Sequence, residues 1–139
     1  MHNLYSKHVA AGDFTEAGEA SSAIKRQLKQ LGINAGIVRR VAVGAYEAEI
    51  NLVIHSMGGE MILDISDTQI RLTVKDVGPG IPSIEKAMTE GYSTASDDVR
   101  DMGFGAGMGL PNMKRNADEF SIESTVGVGT TIVMTFAIA

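Results

Sequence analysis

Two short runs in the middle of the chain limit its architecture more than any other feature. Met61, Leu63 and Ile65 alternate in the first; after a turn at Asp67, Ile70, Leu72 and Val74 alternate in the second against Gln69, Arg71, Thr73 and Lys75. Successive side chains of a strand point to opposite faces, so both runs present one apolar face, and the second also presents a wetted one. A sheet of that kind needs a cover on its apolar side. Two later runs extend it: residues 119–124, through Phe120 and Ile122, and a final strand with Ile132, Met134, Phe136 and Ile138 on its inner side. A short edge strand is expected over residues 4–9.

The cover comes from the first half. Asp13 is the expected N-cap of a helix over residues 14–31 that Gly32 closes, and Asn34 caps a second helix reaching about His55. Ile37, Val38, Val41, Ala45, Ala48 and Leu52 recur along it at helical spacing and form one apolar stripe, ended by a turn at Gly58 and Gly59. The expected class is α+β: a two-layer α/β sandwich with a mixed, mostly antiparallel sheet and helices on one face. With 139 residues, no internal repeat and no linker-like segment, the expectation is one domain over residues 1–139.

Composition removes several functions. Twelve basic against 17 acidic residues give a net charge of −5 with no basic run, which argues against a nucleic-acid surface. No stretch approaches the ~20 apolar residues of a membrane span, and the start lacks a signal-peptide layout, so a cytoplasmic protein without a membrane partner is expected. With no cysteine, thiol nucleophiles, thiolate metal sites and disulfides are out. Chemistry is left to carboxylates, amides, hydroxyls and backbone donors.

Four polar features interrupt the apolar pattern. Asp76 shares the parity of Ile70, Leu72 and Val74, so its carboxylate points toward the helix layer, where a charge needs a partner. The turn Val77-Gly78-Pro79-Gly80-Ile81-Pro82 follows at once, and its glycines admit a flat ligand to the backbone. Such a carboxylate suits an exocyclic amine like that of adenine, or it caps its own turn. Glu47 and Asn51, one helical turn apart, flank the apolar stripe. They are either a solvated face or a working pair, in which the amide ligates a hard cation such as Mg2+ and the carboxylate acts as general base.

The third feature is the segment from Met102 to Arg115, in which Gly103, Gly105, Gly107 and Gly109 alternate before a short helix, with Pro111 in its first turn. A helix N-terminus attracts phosphate, although a plain flexible loop also accommodates glycines. The spacing contains no GxxxxGK[ST], and Met108 and Leu110 fall where GxGxxG requires its third glycine. Last, Gly127-Val128-Gly129-Thr130 opens the final strand as a tight hairpin would. Thr130, in parity with Ile132, turns its hydroxyl inward.

Taken in order, Glu47xxxAsn51, Asp76xGly78xGly80Ile81, the alternating glycines up to Gly109-Leu110, and Gly127xGly129Thr130 resemble the N, G1, G2 and G3 boxes of the GHKL ATPase superfamily, over nearly the whole chain. The resemblance implies the Bergerat fold with ATP and Mg2+ as cofactors. Asp76 would bind the adenine amino group beside Gly78, Gly80 and Ile81, with Thr130 supporting that end. Asn51 would ligate Mg2+ and Glu47 would be the catalytic base. Gly103, Gly105, Gly107, Met108, Gly109 and Leu110 would wrap the phosphates under a lid that includes the acidic residues 95–102. Arg100 or Lys114 would contact the γ-phosphate.

Within that superfamily, His2, His8 and His55 lack the context of a phospho-acceptor histidine, and the length leaves no room for the further domains of gyrase or MutL relatives. The chain looks closest to stand-alone switch kinases and anti-sigma factors. The expected activity is that of an ATP-dependent protein serine/threonine kinase acting on a STAS-domain protein. A sigma factor or another switch protein is a possible further partner, and relatives of this type form homodimers. The alternatives are a nucleotide-gated anti-sigma or partner-binding module with little phosphotransfer, and a stand-alone ATPase or detached histidine-kinase catalytic domain.

Overall fold

The computed structural model describes residues 1–12, 17–55, 58–78, 88 and 109–138. Five strands, β1 (His2–Val9), β2 (Gly59–Ile65), β3 (Gln69–Asp76), β4 (Glu119–Thr125) and β5 (Gly129–Ala137), form one sheet in the order β1-β2-β3-β5-β4. Three helices, α1 (Glu19–Gln30), α2 (Ala35–His55) and α3 (Gly109–Asn116), complete the described elements. All four strand pairings are antiparallel, so among the described residues the sheet is not mixed, as expected from the sequence, but uniformly antiparallel. β2 and β3 form a hairpin, as do β4 and β5, and β5 lies between β3 and β4.

The core forms where the alternation placed it. Met61, Leu63, Ile70, Leu72, Met134 and Phe136 are fully buried on the inner face, and Val38, Val41, Ala45, Ala48 and Leu52 of α2 meet them with Ile24 and Leu28 of α1. Burying each large aliphatic or aromatic side chain contributes roughly 1.5–3 kcal/mol, so this face is the main driving force for the two layers. Arg71 and Lys75 stay exposed on the other face. Arg40 of α2 ties the layers at one end, donating to the Asn116 carbonyl at 3.2 Å and to Asp118 at 3.3 Å. Asp118 also accepts the Ala137 amide at 2.7 Å, and that bond, more than the nearby guanidinium, holds its carboxyl below the usual carboxylate range.

Two boundaries depart from expectation. β1 starts at His2 rather than residue 4, because pairing with β2, helped by Asn3 donating to Asp64 at 3.2 Å, extends a strand whose own pattern is weak. α1 begins at Glu19, not residue 14, so Asp13, which lies outside the described residues, is not its N-cap. The residue before α1 is Gly18, at φ +98° and without a capping side chain. The cap comes from elsewhere in the chain: Glu49 of α2, 1% exposed, accepts the Ala20 and Ser21 amides at 3.0 and 3.1 Å. A carboxylate at the positive end of a helix satisfies orphan donors and bolts α1 to α2. Asn34 does cap α2, accepting the Gly36 amide at 2.9 Å. No helix among the described residues is long and apolar enough to cross a membrane.

Candidate functional site

The site has two parts, one at the end of β3 and one where α2 meets α3. Asp76 is the last residue of β3. Its Oδ1 accepts the backbone N–H of Thr130, 54 residues away, at 2.6 Å. Burial pushes the Asp76 carboxyl up from the ordinary value, and the Thr130 hydrogen bond offsets this in part. Gly129 makes the approach possible: a Cβ there would run into the Asp76 carbonyl and lie 3.1 Å from Oδ1, and its φ of +154° disfavours other residues. The Thr130 hydroxyl pairs with Ser124 at 2.9 Å, and the Gly78 amide donates to the Val128 carbonyl at 3.2 Å. The strand end and the β4–β5 turn are thereby zipped into one wall.

The second part rests on α2. Glu47 and Asn51 are half-buried rather than a solvated face. Both approach Gly109, the first residue of α3: a Cβ there would stand 3.1 Å from Asn51 Oδ1 and 3.4 Å from Glu47 Oε2. The glycine therefore leaves a recess between the amide, the carboxylate and the helix N-terminus. Burial raises the Glu47 carboxyl above the ordinary value, and a side-chain hydrogen bond from Asn112 of α3 works against that rise. Pro111 sits in the first turn, where its missing N–H leaves no bond unmade.

Gly59, paired with Asp76, joins the two parts: Leu52 of α2, next in sequence to Asn51, and the Asp76 backbone both crowd the place of its missing side chain. Of the expected site residues, the structure thus describes Glu47, Asn51, Asp76, Gly78, Gly109, Leu110 and Thr130. Gly80, Ile81, Gly103, Gly105, Gly107 and Met108 lie outside the described residues, as do Arg100 and the acidic residues 95–102. Lys114 is exposed in the last turn of α3, away from the end that meets Glu47 and Asn51.

The arrangement fits a nucleotide carrying a cation. A carboxylate and the groups around it offer an acceptor at one end of the site. At the other, a recess only glycine leaves open faces an amide oxygen and a carboxylate. Among the described residues no three His, Asp or Glu side chains gather to hold a metal, so a cation on the Asn51 amide would take its other bonds from water and phosphate, as Mg2+ commonly does. Sequence reasoning overlooked Glu49, Ser124, Asn112 and Arg115. Asn112 and Arg115 carried a usable signal, since positions 109, 112 and 115 share one helix face. Ser124 could have been found opposite Thr130 once the hairpin register was drawn.

Comparison with known proteins identifies the family. Residues 21–139 match the family described as histidine kinase-, DNA gyrase B-, and HSP90-like ATPase. The serine/threonine-protein kinase RsbT of Bacillus subtilis is 34% identical over 108 residues, which make up 75% of this chain and 75% of that protein. An anti-sigma F factor of Pasteuria penetrans is 37% identical over 95 residues, 63% of this chain and 60% of its own length. The crystal structure of the RsbU and RsbW domains of Rv1364c from Mycobacterium tuberculosis superposes with a TM-score of 0.61 at 16% identity. It covers 96% of this chain and 32% of that one, a likeness of fold.

Proposed function

The chain belongs to the histidine kinase-, DNA gyrase B- and HSP90-like ATPase family, and from that we propose that it is an ATP-dependent protein serine/threonine kinase of the partner-switching type, acting in the cytoplasm on a STAS-domain protein. The observation that carries the reading is the convergence of Glu47 and Asn51 on Gly109. A base, a cation ligand and a helix N-terminus meet there, as transfer of a γ-phosphate requires. The kinase among the relatives supports it. Residues 1–139 act as one ATP-binding unit in this reading, with β1 part of the same sheet.

Asp76 accepts a hydrogen bond from the adenine amino group, with Gly78 and Thr130 shaping that wall; the motif resemblance assigns Gly80 and Ile81 to the same end. Gly109 and Leu110, with Gly103, Gly105, Gly107 and Met108 before them, surround the phosphates. Asn51 would hold Mg2+, and the ion would supply neutralisation of the charge on the phosphates. Glu47 takes the proton of the partner's hydroxyl as its oxygen bonds to the γ-phosphorus and the bond to the β-phosphate oxygen breaks, releasing ADP. Burial raises the basicity of Glu47, which suits it to a weakly acidic hydroxyl.

A second reading is favoured by the anti-sigma F factor among the relatives: nucleotide sets the affinity for a sigma factor or other switch protein, and transfer is slow. The test separates the two. In the kinase reading, γ-labelled ATP and a STAS protein encoded beside this chain give labelled serine or threonine. Glu47→Ala then lowers transfer by roughly 10²–10⁴-fold while ATP still binds. Unchanged transfer by Glu47→Ala would refute the base assignment. Nucleotide-dependent capture of a sigma factor, insensitive to Glu47→Ala and without label transfer, would select the binding module.

A further inference from the structure

Two residues on one face of α3 meet the Glu47 carboxylate, and a third braces the second. Gly109 admits Glu47 Oε2 to the helix start, and Asn112, one turn later, places its side-chain amide within hydrogen-bonding reach of that carboxylate. One turn further on, Arg115 Nη1 donates to Asn112 Oδ1 at 2.8 Å. Asn116 Nδ2 donates to the Asn112 carbonyl, also at 2.8 Å, and steadies the same turn.

This geometry settles which way the Asn112 amide points. An amide has one acceptor end and one donor end, and a guanidinium can only donate. With Oδ1 taken by Arg115, Nδ2 is the atom turned to Glu47, and an ionised carboxylate requires a donor. The charge on Arg115 also polarises the amide, strengthening its N–H toward the acid.

We propose that Asn112 and Arg115 are positioning residues for Glu47: Arg115 locks the Asn112 amide, and Asn112 Nδ2 holds the carboxylate facing the α3 N-terminus. The inference rests on the reading of Glu47 as the base. It adds that the orientation of the base is set by the helix that follows the glycine segment, not by α2 alone. A carboxylate without this tether keeps its place on α2 but samples rotamers that face away from the incoming hydroxyl, so the loss falls on turnover and not on nucleotide affinity.

The test compares wild type, Asn112→Ala, Arg115→Ala, Arg115→Lys, Glu47→Ala and the Glu47→Ala/Asn112→Ala double variant, each checked for an intact fold by thermal melting. Expected for Asn112→Ala is a fall in kcat of roughly ten- to a hundredfold with the ATP Kd unchanged within about twofold. Arg115→Ala falls less, and Arg115→Lys recovers part of that loss. Adding Asn112→Ala to Glu47→Ala costs nothing more, because the amide acts only through the carboxylate. A readout free of any partner is the carbon-13 NMR titration of the Glu47 carboxyl, which Asn112→Ala shifts to higher pH by removing a donor to the ionised form. If Asn112→Ala changes neither kcat nor that titration while Glu47→Ala abolishes transfer, this inference alone is overturned, as it is if the double variant shows an additive loss. If Glu47→Ala transfers as wild type does, the base reading falls first and takes the inference with it.

Discussion

At the scale of single residues, the account depends on where two carboxylates stand. Asp76 is held by the Thr130 amide, so Asp76→Asn keeps an acceptor for that amide but presents an NH2 where the proposed adenine amine needs an oxygen. A lost hydrogen bond to a charged group contributes ~1.5–3 kcal/mol, so ATP affinity should fall roughly ten- to a hundredfold in this variant. Glu47, the proposed base, works only when ionised, and burial raises its carboxyl above the ordinary value of 4.5. Transfer should therefore rise with pH through a limb lying above 4.5, measured as kcat against pH. A limb at or below that value would contradict the burial argument. The Asp76 parity was legible because β3 alternates without interruption. The identity of its partner was not, because Thr130 approaches only through a register set by β5.

Elements were legible in proportion to how local their determinants are. β3 and β5 follow from alternation, and α2 follows from the stripe Ile37, Val38, Val41, Ala45, Ala48 and Leu52, all of which are buried except the partly buried Ile37. The start of α1 did not follow, because its cap is Glu49, 28 and 29 residues from the amides it accepts, and local cap chemistry at Asp13 gave the wrong boundary. Glu49→Ala leaves two buried amides without their acceptor and should lower the unfolding free energy by about 2–4 kcal/mol in urea titrations. A loss under about 0.5 kcal/mol would mean that α1 is held by its apolar face alone. In the β4–β5 turn, Gly129→Ala forces a Cβ against the Asp76 carbonyl at a positive φ. It should destabilise by about 1–3 kcal/mol and weaken ATP binding together, because the same contact seats both the strand and the carboxylate.

The whole molecule couples its two layers to the proposed ligand. α2 packs on the sheet through Leu52 at Gly59, beside Asp76, and α3 closes on Glu47 and Asn51, so a nucleotide held at both places would brace the helix layer against the sheet. Binding to the folded state alone stabilises by RT ln(1 + [L]/Kd), about 2.7 kcal/mol at a hundredfold excess over Kd. MgATP should accordingly raise the melting temperature, and chelating Mg2+ with EDTA in the presence of ATP should return most of that gain. The family resemblance is legible in the sequence alone, since four weak motifs occur in one order. The approach of α3 to Glu47 is not, because it depends on a helix-to-helix contact that no single segment encodes. The most direct test of the proposed pocket is isothermal calorimetry of MgATP with the wild-type chain and with Asp76→Asn. Saturable single-site binding that weakens at least tenfold in the variant is the predicted result. No heat of binding at millimolar nucleotide, or equal affinity for both proteins, would contradict it.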